Sequence, residues 1–331
     1  MSLKEENDNV EDALSDDDKP SFPTKTNEIV DESFNLEKML DPDAECVDLE
    51  HCRIGSIAGF ERLKKVEELC LRNNLLKQIQ GLGCLASTLT SLDLYDNRIK
   101  KIENLEDLVL LESLDLSFNL MRTIEGLENL VKLKKIYLLT NKFTKIQNLS
   151  HLTSLTMLEL GDNRIRAIEG LETLKNLQEL YLGKNKITTI GNLSELKNLK
   201  ILALMSNRIT KIEGLDALTN LEELYMSHNA IEKIEGLENN TNLQTLDVAG
   251  NKITRVENLS HLSELEEFWA NDNKIHDWND MDELKKCPKL ITVYLEHNPL
   301  QTSHATQYRR RLMAIMPNLK QIDATYTRSA M

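Results

Sequence analysis

The sequence predicts an α/β solenoid, and three observations carry that prediction. Asparagines recur in the frame LxLxxN at Asn74, Asn97, Asn119, Asn141, Asn163, Asn185, Asn207, Asn229, Asn251, Asn273 and Asn298, and every step from Asn97 to Asn273 is 22 residues. The 331 residues are 40% hydrophobic and 28% charged, a globular composition long enough for one large domain. No proline occurs between positions 43 and 287, so nothing interrupts a regular stack.

The units follow one another in order. A step of 23 precedes the regular run and a step of 25 follows it. Cys52, in DLEHCRI, lies 22 residues before Asn74 and heads the series, which gives about 12 units. A pattern LxxLxLxxN/C with a period of 20–29 residues is that of the leucine-rich-repeat horseshoe. With Asn97 as zero, Leu92 and Leu94 stand at −5 and −3, so their side chains share one face of a strand and point inward. Ile99, Ile102, Leu105, Leu108 and Leu111 continue the apolar face round the unit. The asparagine is expected to hydrogen-bond backbone groups at the turn leaving the strand, as one rung of a ladder. Position +7 is Gly59, Gly81, Asn104, Gly126, Asn148, Gly170, Asn192, Gly214, Gly236 and Asn258. Gly and Asn alone in a column predict a left-handed backbone there. A 22-residue unit leaves little chain for the convex side, so 3₁₀ or very short helical turns are predicted opposite a parallel concave sheet.

The ends differ from the array, which is predicted to run over 46–298. Residues 1–45 hold 15 acidic and 4 basic side chains, so residues 1–30 are predicted to be a disordered acidic tail. Ser15, followed by Asp16, Asp17 and Asp18, suits an acid-directed kinase, against the plainer reading of a solvating tail. Residues 31–45 include Phe34, Leu36 and Leu40 and are predicted to cap the first unit. Residues 299–331 form the C-terminal cap. In it, Tyr308 to Ile315 is predicted helical and stopped near Pro317, and Leu319 and Ile322 resume the repeat pair. Arg309, Arg310 and Arg311 are expected on the solvated face of that helix.

Several function classes are disfavoured. A formal charge of −14 argues against nucleic acid and against an anionic membrane surface. No apolar run reaches the length of a spanning helix, and MSLKEENDNVEDALSDDD lacks the apolar core of a secretory signal. Five cysteines without a CxxC pair predict reduced thiols and an intracellular setting. Cys70 and Cys84 fall near apolar stripes and are expected to be buried. No HExxH, P-loop, GxGxxG or GxSxG occurs, so neither an enzyme nor a cofactor or metal site is predicted.

The informative column is −4, whose side chains point away from the core. It reads Asp48, Cys70, Asp93, Asp115, Tyr137, Glu159, Tyr181, Ala203, Tyr225, Asp247, Trp269 and Tyr294. Five of the twelve are Tyr or Trp although aromatics are 5% of the chain, more than strand propensity explains. Position −6 adds Glu179, Glu223 and Glu267. An exposed ladder of aromatics and carboxylates predicts a protein-binding face for a partner with a basic patch.

The uniform 22-residue units, the phrases LDLYDNRIKKIENL, LGDNRIRAIEGL and LEEFWANDN, and the ending VYLEHNPLQ…YRRRLMAIMPNLKQIDATY resemble the regulatory-subunit-7 family of protein phosphatase 1 over about 45–328. The resemblance implies a regulatory subunit whose concave face grips the catalytic subunit of the type 1 serine/threonine phosphatase and restrains, stores or directs it. It implies a further inhibitor subunit as a candidate third partner, a chain that is monomeric by itself, and a place in nucleus and cytoplasm with links to chromosome segregation. It carries contact roles onto Asp115, Tyr137, Glu159, Tyr181, Asp247, Glu267, Trp269 and Tyr294; other members have Phe where this chain has Tyr137 and Tyr181. The short docking motif R/K-V/I-x-F is absent, since Arg255-Val256-Glu257-Asn258 ends in Asn. The competing expectation is an adaptor of a centrosomal, ciliary or nuclear assembly. Such chains usually append coiled coil, and no sustained heptad follows residue 300.

Overall fold

Twelve three-residue strands lie side by side in parallel: β1 (Cys46–Asp48), β2 (Glu68–Cys70), β3 (Ser91–Asp93), β4 (Ser113–Asp115), β5 (Lys135–Tyr137), β6 (Met157–Glu159), β7 (Glu179–Tyr181), β8 (Ile201–Ala203), β9 (Glu223–Tyr225), β10 (Thr245–Asp247), β11 (Glu267–Trp269) and β12 (Thr292–Tyr294). They belong to a computed structural model that describes residues 40–327. The expected acidic tail, Ser15, most of the N-terminal cap and the last four residues lie outside the described residues. Each strand pairs with the next without slippage, Leu92 against Leu114 and Leu114 against Ile136. The period therefore fixes the register: 22 residues is one lap.

The strands are short because only their middle residue is inward. Leu92, Leu94, Ile99, Ile102, Leu105, Leu108 and Leu111 are all at most 1% exposed, so one unit contributes seven apolar side chains to a single continuous core. No unit could bury that set alone; its neighbours cover it on both sides.

The asparagine ladder is present at all eleven positions. Asn185 shows the pattern: its Oδ1 accepts from Ile165 N of the preceding unit (2.9 Å), and its Nδ2 donates to Leu160 O (2.9 Å), Leu182 O (3.1 Å) and Gly183 O (3.2 Å). One carboxamide thus satisfies backbone groups of two units inside an apolar stack, where an unpaired group is costly. Cys52, at the head, cannot do this; its thiol reaches only Glu50 O at 3.5 Å.

All ten residues of the +7 column have positive φ, from +58° at Asn148 to +86° at Gly59. The two permitted residue types solve one problem differently. At Gly236 a Cβ would lie 2.5 Å from Ile212 O. At Asn148, Asn192 and Asn258 the side chain instead donates to the equivalent carbonyl, of Ile124, Ile168 and Ile234, each at 2.8 Å. A second left-handed column was not foreseen. The residue before each ladder asparagine also has positive φ, including Phe118 (+54°), Thr140 (+52°) and Lys184 (+51°). Mixed residue types hide it from the sequence. The conformation is costly for a β-branched threonine. It is held because Thr140 N donates to Gly161 O (3.0 Å) while the ladder amide of Asn141 takes the preceding carbonyl.

The convex side is tighter than expected. Most units make two successive three-residue turns, such as Leu108 N to Leu105 O and Leu111 N to Leu108 O (both 3.0 Å), and then rejoin the sheet. Within the array from β1 to β12, helical segments occur only in the two longer units. The unit with one extra residue forms a 3₁₀ turn at Gly83–Leu85; the 25-residue unit forms Trp278–Asp280 and helix α1 (Met281–Lys285). Extra chain goes outward because the sheet has no room for it.

The C-terminal cap comprises α2 (Pro299–Thr302), α3 (Ala305–Ile315) and strands β13 (Gln321–Ile322) and β14 (Thr325–Tyr326); β13 extends the parallel sheet and β14 turns back antiparallel. The expected helix and the Leu319/Ile322 pair are there, both side chains at most 1% exposed. The arginine triplet corrects its expectation. Arg309 donates to the carbonyls of Ile322 (3.0 Å), Thr325 (3.0 Å) and Tyr326 (2.6 Å), and Arg311 stacks 3.8 Å over Trp278. Two of the three arginines bolt the cap down, because the final hairpin leaves carbonyls at a sheet end without strand partners. The buried-thiol expectation also fails in part. Cys84 is exposed, since the inserted residue turns it outward, and Cys70 is half-buried on the concave face; Cys287 is the buried thiol.

Asn185→Ala is expected to cost about 1–3 kcal/mol in denaturant unfolding by stranding the Ile165 N–H and three carbonyls. Hydrogen exchange should rise in the units on both sides. Gly236→Ala should lower stability by about 1–2 kcal/mol, whereas Gly236→Asn should recover most of that loss by bonding Ile212 O. Comparing the two unfolding midpoints checks it.

Candidate protein-binding face

Parallel pairing lines up the −4 side chains on the concave sheet in strand order. The predicted contact residues fall on β4 (Asp115), β5 (Tyr137), β6 (Glu159), β7 (Tyr181), β10 (Asp247), β11 (Glu267 and Trp269) and β12 (Tyr294). That row spans about 38 Å at the ordinary strand spacing. It is not uniform. Ala203 on β8, 1% exposed, separates a tyrosine–carboxylate half from an aromatic half.

In the C-terminal half, Trp269 lies between Tyr225 (6.2 Å between ring centroids) and Tyr294 (5.8 Å). The register Tyr225–Asp247–Trp269 puts Asp247 beneath this shelf at 5% exposure. The Asp247 carboxylate accepts from Ala249 N (3.0 Å), and burial pushes its pKa up. Gln321 of the cap donates to the Tyr294 hydroxyl (2.6 Å), which fixes the outer ring. The Trp269 indole N–H is buried with no acceptor among the described residues. Tyr225 joins the predicted contacts here; it was read in the column but the resemblance assigned it no role.

The other half is acidic, and the −4 acids of both halves have a second duty. Asp48, Asp93, Asp115, Glu159 and Asp247 each accept from the backbone N–H two residues on, at 2.9, 3.0, 2.8, 2.6 and 3.0 Å. That amide points to the concave side, away from the neighbouring strand's carbonyls, so the −4 carboxylate caps it. Asp115, Glu159 and Asp247 were expected as contacts alone; the fixed spacing of all five acids to the turn is the signal of this second role. Burial is the main cause that raises the pKa of Asp115, and it raises Glu159 to about 7, with repulsion from Asp115 adding to it. The tyrosines are also engaged: Tyr181 donates to Glu179 (2.9 Å) and Tyr225 to Glu223 (2.7 Å). Burial and these carboxylates raise both phenols, so they remain neutral donors.

A further cluster lies where strands β2–β4 meet the ladder edge. Arg72 sits 4.1 Å over the Tyr95 ring and 3.0 Å from Asp93, and Tyr95 packs on Phe118 at 4.8 Å. Phe118 is 38% exposed. Of the four, Asp93 belongs to the −4 column, whereas Arg72 and Tyr95 stand at −2 and Phe118 at −1, outside it.

The near-motif Arg255-Val256-Glu257-Asn258 is locked into the fold. Arg255 Nε reaches both oxygens of Asp280 (2.8 and 2.9 Å), and Val256 N donates to the same carboxylate (3.0 Å). Val256 is 1% exposed. It cannot serve as a peptide. Among the described residues no group of three or more His, Cys, Asp and Glu is placed to hold a metal ion, and no helix is long and apolar enough to cross a membrane.

The family of leucine-rich repeats (2 copies) matches residues 87–129, 153–197, 197–239 and 241–282, together more than half of the chain. The chain belongs to the leucine-rich-repeat family. Curated relatives align over shorter stretches. A protein of Xenopus tropicalis named protein phosphatase 1 regulatory subunit 7 is 64% identical over 55 residues, 17% of this chain and 16% of that protein. The human protein of the same name is 61% identical over 54 residues, covering 16% and 14%. The protein phosphatase 1 regulatory subunit SDS22 of Schizosaccharomyces pombe is 48% identical over 68 residues, 20% of each chain. The aligned stretch thus spans a fifth or less of each of these three relatives. Among solved structures, an internalin of Listeria monocytogenes superposes with TM-score 0.66 at 26% identity, covering 86% of this chain and 87% of that one. A leucine-rich-repeat protein of Leptospira interrogans does so with TM-score 0.61 at 22% identity, covering 81% of both. The latter likeness is one of fold alone.

Glu159 gives this face a pH dependence whose sign is fixed. Its folded pKa of about 7 lies above the ordinary carboxylate value, so the folded state holds the proton more tightly than the unfolded one. Its contribution to stability is most favourable below the unfolded pKa and is lost as pH rises toward 7. Glu159→Gln should flatten stability between about pH 4.5 and 7 and raise it at neutral pH by about 1–3 kcal/mol. Denaturant midpoints across that range, wild type against variant, measure it.

Proposed function

We propose that this chain is a non-catalytic regulatory subunit that binds the catalytic subunit of type 1 serine/threonine phosphatase through its concave face and controls its activity, storage or targeting. The observation that carries the reading is the shared name of the relatives, protein phosphatase 1 regulatory subunit, at 48–64% identity over the aligned stretches. The face supports it chemically. Aromatic area concentrated on β9–β12 supplies hot-spot contacts, and the carboxylates of β4–β7 favour a partner presenting Lys and Arg. The cap amides already held by those carboxylates fix their geometry before binding, which lowers the ordering cost. The chain acts as a monomer that contributes one side of a heteromeric complex, in nucleus and cytoplasm, with room for a further inhibitor subunit on the phosphatase.

Trp269 is the expected anchor. The partner would cover the part of its ring that is open on the concave face. Trp269→Ala should weaken binding of purified catalytic subunit by about 2–4 kcal/mol, and Glu267→Ala by about 1–2 kcal/mol. Trp269→Phe keeps part of the apolar area, so it should fall between wild type and Trp269→Ala. Lys211, exposed and flanked by Glu213 and Glu235 (both 3.9 Å), lies off the concave face, and Lys211→Ala should bind as wild type. Equal affinities for all four variants would defeat the concave-face reading.

A further inference from the structure

The rim beside the asparagine ladder carries charge of the opposite sign to the concave face. The residue after the ladder asparagine is Lys142, Arg164, Lys186 and Arg208 in four successive units. Each donates its backbone N–H to the preceding unit, to the carbonyls of Met121, Phe143, Ile165 and Ile187, all at 2.8 Å. This common bond aligns the four in one column at about 4.8 Å per unit. Arg166 and Lys184, both exposed, flank it.

None of these six cations forms an ion pair with a described residue. The lysines three positions further along the units behave differently: Lys101, Lys145, Lys211 and Lys233 stand 3.7, 3.8, 3.9 and 4.0 Å from glutamates. In the four units, the residue before the ladder asparagine is Thr140, Asp162, Lys184 or Ser206, so one carboxylate flanks the row. It already accepts from the Thr140 hydroxyl at 3.1 Å. An uncompensated cation row on a chain of net charge −14 invites an acidic occupant.

The chain carries one of its own. Residues 1–18 hold eight acidic side chains and one lysine, whereas residues 19–39 hold four acidic side chains and three lysines. The charge is therefore concentrated at the far end of a 21-residue connection to Leu40, which packs against the core beside β1. Twenty-one residues reach at most about 70 Å when fully extended, so strands β5–β8, about 19–34 Å from β1, lie within the tether. Effective concentration falls with distance from the anchor, which favours this row over basic residues further along the stack. The concave face, lined by Asp93, Asp115 and Glu159, repels the same segment.

We propose that residues 1–18 of this chain bind intramolecularly to the basic rim formed by Lys142, Arg164, Lys186 and Arg208. The contact is electrostatic and salt-sensitive, leaves the concave face open, and makes the rim available only to an acidic ligand able to displace the segment.

Carbodiimide coupling of the full-length chain, read by mass spectrometry, tests this, because it joins carboxylates to lysines in direct contact. At low salt, couplings from residues 1–18 should concentrate on Lys142, Lys184 and Lys186. Lys252 and Lys274, in the same column but about 43–48 Å from β1, should couple little. The couplings should vanish near 0.5 M salt, where screening reaches within a few ångströms. In the double variant Arg164→Glu, Arg208→Glu, which keeps the lysine reporters, they should fall about tenfold. Melting curves confirm that the variant is folded. Couplings spread evenly over surface lysines, unchanged in the variant, or formed between isotopically heavy and light copies would overturn the proposal. So would loss of coupling in Trp269→Ala with the rim intact, since that places the segment on the concave face.

Discussion

At the turn leaving each strand a buried carboxamide accepts from one unit and donates to carbonyls of two. Asn185 makes four such bonds at 2.9–3.2 Å in a setting where leucines on every side are fully buried. An apolar stack has no other means of satisfying those backbone groups, because water is excluded and the chain has already left the sheet ladder. The left-handed residue before the asparagine, the left-handed Gly or Asn seven residues later and the constant strand register all follow from keeping that amide in reach.

Short strands make the concave face. Since only the central residue of each strand is inward, the two flanking residues face out, and a functional surface is laid down at the same spacing as the core. The same economy creates a conflict. The amide two residues beyond each −4 position needs a partner, and the acids that could meet a binding partner also cap it. Asp247 has gone furthest toward the structural side, 5% exposed beneath Trp269, while Glu159 keeps a partly open carboxyl whose pKa of about 7 makes the charge of the face sensitive near neutrality.

Irregularity is confined to places where the period changes. The extra residue near position 84 and the three extra residues after Asn273 become convex turns or helix, with the concave register undisturbed. At the C-terminal end the stack would expose its apolar cross-section and open carbonyls. There α3 lays Tyr308 and Leu312 over the core, and Arg309 supplies three hydrogen bonds to the last hairpin. The cap also reaches the binding face through Gln321 and Tyr294, so the outermost aromatic of the shelf is positioned by residues outside the array.

The solenoid, the twelve strands of the array, the ladder and the Gly/Asn column are legible in the sequence, because each is written as a residue type recurring at one spacing. The sequence by itself also determined which side chains share the concave face, since period-two alternation follows from the strand alone. Tertiary structure decided what recurs in conformation but not in residue type. The left-handed column at Phe118, Thr140 and Lys184 is enforced by hydrogen bonds from two units, so no residue preference marks it. Tertiary structure likewise decided that Arg309 and Arg311 bind the cap while Arg310 faces solvent, and that Cys84 is exposed. It also put Tyr225 beside Trp269 and made the −4 acids backbone caps. Each depends on where the stacked units put a backbone group or a ring, or on which way an inserted residue turns, and only the packed stack fixes that.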